Sequence, residues 1–223
     1  MIRLCILMAM TISSYFASYP TESQYAVDYT SANKAEIGTM RKYLSSKDAR
    51  LAMCIVAPEI SQYSQISDAA ETFALNTLYV QGKVSDFSIG TFQMKPSFAV
   101  SIEDEVAKCE RLKKYRELII DEVSDRAVRF ERIKRLSTLH WQLVYLCAFI
   151  EMAKANTSGI SFVSTEEKLK YWATLYNAGL DSSETKIYNL YEIDGFPKFS
   201  SNSFNYADIC VEFYRNKNYC SFL

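Results

Sequence analysis

The chain has 223 residues, 49% of them hydrophobic and 23% charged, a balance that fits one globular domain and excludes a disordered chain or a multi-span membrane protein. Its 25 Lys and Arg stand against 26 Asp and Glu, so no global field would steer it onto nucleic acid or an acidic membrane surface. The single histidine, His140, argues against Ser-His-Asp, Cys-His and multi-His metal chemistry, and only six glycines are present, with no phosphate-binding loop among them.

At the N-terminus, Arg3 followed by the apolar run Leu4 to Ile12 matches a secretory signal and is too short to span a bilayer. Cleavage is expected near Ala17 or Ser18, with residues 19–33 as a Ser, Thr and Tyr-rich linker and 34–223 as the mature domain. Export to the periplasm or cell envelope follows, and a retained N-terminal anchor is the alternative. Beyond Cys5 the cysteines are Cys54, Cys109, Cys147, Cys210 and Cys220, an odd number without C-x-x-C, which supports no zinc site. Cys210 and Cys220 are close enough in sequence to pair across the tail.

A short helix is expected over Lys34 to Leu44. Ser46 then caps a largely buried helix, Lys47 to Ala57, which Pro58 should end, leaving Glu59 just beyond it. Asp68 can cap a helix from Ala69 to Gln81, and Lys83 to Pro96 reads as irregular or briefly extended. A helix opening at Ser101 carries Ile102, Val106, Cys109, Leu112 and Leu118 on one stripe. Another is marked by Val123, Ala127, Phe130 and Ile133. The alternating charges from Lys108 to Arg135 read as a solvated helix face.

Ser137 opens Thr138 to Lys154, apolar all round from Leu143 to Ile150, as in a helix buried inside a bundle. Ser164 and Glu167 form a capping box before a helix ending at Tyr176-Asn177-Ala178-Gly179. A last helix is expected over Tyr206 to Asn216. These elements make an all-α domain, or an α-rich α+β one, with one small irregular or β-hairpin insertion and no internal repeat.

Three segments stand out in order: Pro58-Glu59, then Gly90-Thr91-Phe92-Gln93-Met94-Lys95-Pro96, then Tyr176-Asn177-Ala178-Gly179. Together they resemble the lytic transglycosylases and goose-type lysozymes. Those proteins carry a catalytic Glu at the end of a buried helix, then G-x-x-Q-[hydrophobic]-x-P, then a helix ending in Y-N-A-G. The resemblance covers Leu51 to Gly179. It implies a lysozyme-like domain without cofactor or metal, acting on the glycan strands of peptidoglycan between N-acetylmuramic acid and N-acetylglucosamine.

The resemblance assigns Glu59 as general acid, since a buried carboxyl holds its proton near neutral pH. Gly90, Gln93, Met94, Tyr176 and Asn177 become substrate-binding residues, with Tyr176 against the catalytic carboxyl. Asp86 is either a second catalytic carboxylate or an organiser of its own loop. The sequence departs from the family in having Ile60 rather than Ser after the Glu. It also places Glu59 unusually far from Gln93, which makes Glu71 a rival. A module that binds glycan without cutting it is the alternative function.

Overall fold

The computed structural model describes residues 14–63, 69–83, 86–198 and 200–223, with residues 69–73 described for backbone only. The expected apolar signal run and the Asp68 cap lie outside the described residues. Among those described, the chain is all-α and carries no sheet. Its extended pairing amounts to two isolated antiparallel bridges, Ile89 with Met94 and Phe196 with Phe204.

The first helices are α1 (Tyr15–Ser18), α2 (Pro20–Ala32) and α3 (Lys34–Ile37), the last continued by a tighter turn over Gly38–Lys42. The 19–33 linker is therefore corrected to a helix. Ser23, Ala26 and Thr30, at helical spacing, are buried. A face made of such small and polar residues hides its periodicity from a hydrophobicity reading.

Tyr15 is also fully buried. Its ring lies against Phe204 edge-on at 5.8 Å, and its backbone N–H donates to Glu212 at 2.9 Å.

The central helix α4 (Ser46–Tyr63) is buried almost continuously from Leu51 to Ser61. Its first turn is capped by Ser45, one residue earlier than expected, whose hydroxyl accepts from the Asp48 N–H at 3.1 Å. Pro58 does not end this helix. Proline there strips the Cys54 carbonyl of its partner and crowds the preceding turn. The two neighbouring carbonyls are held from outside the helix: the Tyr219 hydroxyl donates to Met53 O at 3.0 Å and the Tyr206 hydroxyl to Ile55 O at 2.9 Å.

Helix α5 spans Ala69–Val80. Next, α6 (Pro96–Lys108) starts before the expected Ser101, with Pro96 in its first turn, where the missing N–H costs nothing. Ser101 instead donates its hydroxyl back to Ser97 O at 3.1 Å. Cys109 adopts an extended conformation and breaks the expected long helix, and Glu110–Leu118 continues as a 3₁₀ segment.

Helix α7 (Asp125–Leu136) is capped by Ser124, but Val123 and Phe130 of its expected stripe are exposed. Nor is the charge run wholly solvated. Arg132 is buried, donating to Glu103 through Nη2 at 2.6 Å and to the Tyr79 hydroxyl at 3.0 Å. Tyr145 donates to the same Glu103 carboxylate at 2.6 Å, so the pair has the extra hydrogen bonds that a buried ion pair needs.

Helix α8 (Leu139–Asn156) is the expected buried helix, with Leu143 to Ile150 inside the core. Helix α9 (Thr165–Ala178) begins at the Ser164 cap, whose hydroxyl accepts from the Glu167 N–H at 3.1 Å, while the Glu167 carboxylate accepts from the Val163 N–H rather than from that of Ser164, and it ends at Gly179 with φ near +99°. A conformation of that sign suits glycine. The short α10 (Glu184–Leu190) was not foreseen, and α11 (Tyr206–Arg215) matches expectation. Cys210 and Cys220 are both free thiols, which corrects the expected pairing. Cys210 donates to Ile55 O at 3.5 Å, and burial pushes the Cys220 thiol up to about 12. No helix among the described residues is long and apolar enough to cross a membrane.

Candidate active site

Glu59 lies in the last turns of α4, and its carboxyl faces a cleft of about 520 Å³ whose lining includes Gln93, Met94, Tyr176 and Asn177. The three sequence segments thus converge on one place. Among the described residues no group hydrogen-bonds the Glu59 carboxyl. Burial pushes it up to about 7, against the opposing pull of the Lys198 and Lys95 ammonium groups. Loss of hydration penalises the charged form more than two cations on the cleft lining favour it.

The middle segment is a tight hairpin-like loop. Ile89 and Met94 exchange backbone hydrogen bonds at 2.9 and 3.0 Å, and Gly90 and Gln93 both take positive φ between them. Gln142 of α8 clamps the loop from behind: its Oε1 accepts from Phe92 N at 3.2 Å and its Nε2 donates to Leu136 O at 2.5 Å. A Cβ on Gly90 would stand 1.6 Å from that Nε2. Gly90 is therefore required by the loop and by Gln142, and it faces away from the cleft. Gln93 donates to Gly90 O at 2.8 Å while lining the cleft, and Met94 is at once cleft floor and core.

Tyr176 shares the cleft with Glu59, but its hydroxyl donates to Phe92 O at 2.8 Å. Its expected contact with the catalytic carboxyl is replaced by a tie between the Y-N-A-G helix end and the hairpin. Burial first, and the nearby Glu59 next, raise the Tyr176 phenol well above its ordinary range. Asn177 stands exposed one residue on, at the cleft edge.

Asp86 does not line the Glu59 cleft. Its Oδ1 accepts from the Ser97 N–H at 3.1 Å, and its Oδ2 lies 3.7 Å from Lys95 Nζ. It thus caps α6 from ten residues upstream of that helix, the organising role. An adjoining depression of about 360 Å³ contains it. No family model, curated protein or solved structure matches this chain.

Glu71 sits on α5, and its side chain lies outside the described residues. The lining also includes residues the sequence did not point to. Gln62 is one helical turn beyond Glu59, and would have been found had α4 been continued through Pro58. Phe98 lies five residues after Gln93 and stacks edge-on against Tyr176 at 5.2 Å. Phe196, Pro197 and Lys198 come from a C-terminal loop that carries no motif. Among the described residues no group of three or more His, Cys, Asp or Glu side chains is placed to hold a metal.

Proposed function

We propose that the protein cleaves peptidoglycan glycan strands between N-acetylmuramic acid and N-acetylglucosamine, with Glu59 as general acid. The observation that carries this reading is a carboxyl without a hydrogen-bond partner among the described residues, pushed up to about 7, in a cleft shared with Gln93, Tyr176 and Asn177. A group of that pKa is protonated often enough near neutrality to donate, and acidic enough to do so readily.

In this reading the Glu59 proton passes to the glycosidic oxygen as the bond to C1 breaks. The oxocarbenium-like centre then needs a nucleophile and a base. Glu59 is the one carboxylate among the described residues lining the cleft, and Asp86 is engaged in capping α6. The carboxylate left on Glu59 is therefore the base that takes the proton from the sugar's own 6-hydroxyl as its oxygen bonds to C1, giving a 1,6-anhydro end. Transglycosylation rather than hydrolysis follows, together with export to the envelope where such strands lie.

Purified protein and Glu59→Gln, incubated with isolated peptidoglycan, test it: wild type should release anhydro-muropeptides and the variant none. Reducing ends among the products would move the reading to hydrolysis. Binding to the insoluble wall without any product would replace it with glycan recognition alone, a second reading favoured by Ile60 standing where the family has Ser.

A further inference from the structure

Lys198 is an ammonium group on the cleft that forms no ion pair among the described residues, Glu59 being the one carboxyl it faces there, whereas Lys95 is matched by Asp86. Its loop is held firmly. Phe196 and Phe204 exchange backbone hydrogen bonds at 3.1 and 2.7 Å, Asn205 Nδ2 donates to Leu190 O and Ile193 O at 2.9 Å each, and Phe196 stacks edge-on against Tyr206 at 5.3 Å. A flexible side chain on an anchored loop is suited to meet a ligand.

Its position is otherwise counterproductive. The groups facing Glu59 are Lys198 on this loop, Lys95 at the start of α6, Tyr176 on α9, and Tyr206 and Cys210 on α11. Burial keeps the two phenols and the thiol neutral, so among the described residues facing Glu59 the two lysines alone bring charge, and of a sign that favours losing the acid's proton. An anionic substrate group seated on Lys198 would cancel that charge and supply a charge-assisted hydrogen bond.

We propose that Lys198, with Lys95 beside it in the cleft, forms a carboxylate-binding subsite that recognises the stem peptide attached to the glycan strand. The inference rests on the glycan-cleaving reading. The carboxylates of the stem peptide are the anions such a strand carries, since its sugars are neutral once the lactyl group is amidated. Substrate binding would thereby restore the proton affinity of Glu59 and couple recognition to the acid step.

The experiment compares strands bearing free stem carboxylates with the same strands after carbodiimide and ammonia have converted those carboxylates to neutral amides, using wild type, Lys198→Gln and Lys198→Arg. One unit below the Glu59 value, wild type should cut the carboxylate-bearing strands about tenfold more efficiently, what one charge-assisted hydrogen bond contributes. Lys198→Gln should bring the ratio within about twofold, and Lys198→Arg should keep most of it. The alkaline limb of kcat should lie higher in pH on the carboxylate-bearing strands for wild type and coincide for Lys198→Gln. Equal cleavage of both strands by wild type, or a preference unchanged in Lys198→Gln, overturns the subsite and leaves the cleavage reading standing. Cleavage of neither strand overturns both.

Discussion

The hydroxyl of Tyr176 donates to the carbonyl of Phe92 at 2.8 Å, joining the end of α9 to the hairpin 84 residues earlier. Tyr176 thus places the Gln93 loop beside Glu59 without bonding the acid. Tyr176→Phe should cost about 1 kcal/mol of stability, the loss of one buried hydrogen bond, and reduce cleavage by raising KM more than by lowering kcat. Because its phenol stays neutral, the alkaline limb of the rate should not move. A shifted limb in that variant would mean that the hydroxyl bonds the carboxyl after all.

The pH profile follows from the sign of the Glu59 shift. The donor is active while protonated, so the rate should be flat on the acid side of about 7 and fall about tenfold per unit above it. Stability runs the same way. The folded value lies above the ordinary 4.5, so this group's contribution is fully present below 4.5 and is lost as pH rises towards 7. The difference is about 3 kcal/mol. Glu59→Gln should therefore abolish cleavage and raise the melting temperature above pH 7, with little gain at pH 4. A melting curve insensitive to this substitution across that range would contradict the burial of the carboxyl.

Asp86 offers a decisive comparison between its two roles. As the cap of α6 it is worth about 1 kcal/mol, and Asp86→Asn should lower the melting temperature slightly while cleavage persists within a few-fold of wild type. Loss of activity by several orders of magnitude, as expected for a removed catalytic carboxylate, would return Asp86 to the reaction.

The Arg132 and Glu103 pair is buried on both sides, with Tyr79 and Tyr145 completing its hydrogen bonds. Arg132→Met leaves Glu103 charged and without its cation inside the core, and should destabilise by about 3–5 kcal/mol. The double variant Arg132→Met with Glu103→Met should recover a large part of that loss. Urea unfolding of Arg132→Met, Glu103→Met and the double variant measures the coupling directly.

The helices with strong apolar content were legible in the sequence: Leu143 to Ile150 has a hydrophobic density that only a bundle interior accepts, and Ser164 and Gly179 mark their helix ends by local chemistry. What was not legible depends on partners distant in sequence. Pro58 reads locally as a stop, and becomes tolerable because Tyr206 and Tyr219, some 150 residues later, hold the carbonyls on either side of the one it orphans. Asp86 reads as a loop residue until α6 folds against it. Lys198 stands in a stretch without periodicity, and only the bridge between Phe196 and Phe204 brings it to Glu59. Glu59, Gln93 and Tyr176, which share the cleft, could be named from motifs, whereas Lys198 on the same cleft could not.

Tyr15 shows the same dependence and carries the last prediction. A hydrogen-bond chain runs from the cleft into the helix that holds the acid: Gln62 Nε2 donates to the Tyr15 hydroxyl at 2.8 Å, that hydroxyl meets Ser61 Oγ at 2.6 Å, and Ser61 donates to Pro58 O at 2.6 Å. The ring is fully buried beside Tyr19, Phe204 and Phe213. Removal of the chain at Ala17 or Ser18 would take this residue away. A chain starting at Tyr19 should therefore lose about 3–5 kcal/mol, the usual cost of emptying an aromatic core site. One starting at Ser14 keeps the Tyr15 ring and is the reference for that loss. Tyr15→Phe separates packing from the hydrogen-bond chain: it keeps the ring, frees Gln62 and unties Ser61, and should lower cleavage more than it lowers stability. Equal melting temperatures for the chains starting at Ser14 and Tyr19 would show that the buried ring contributes nothing to stability.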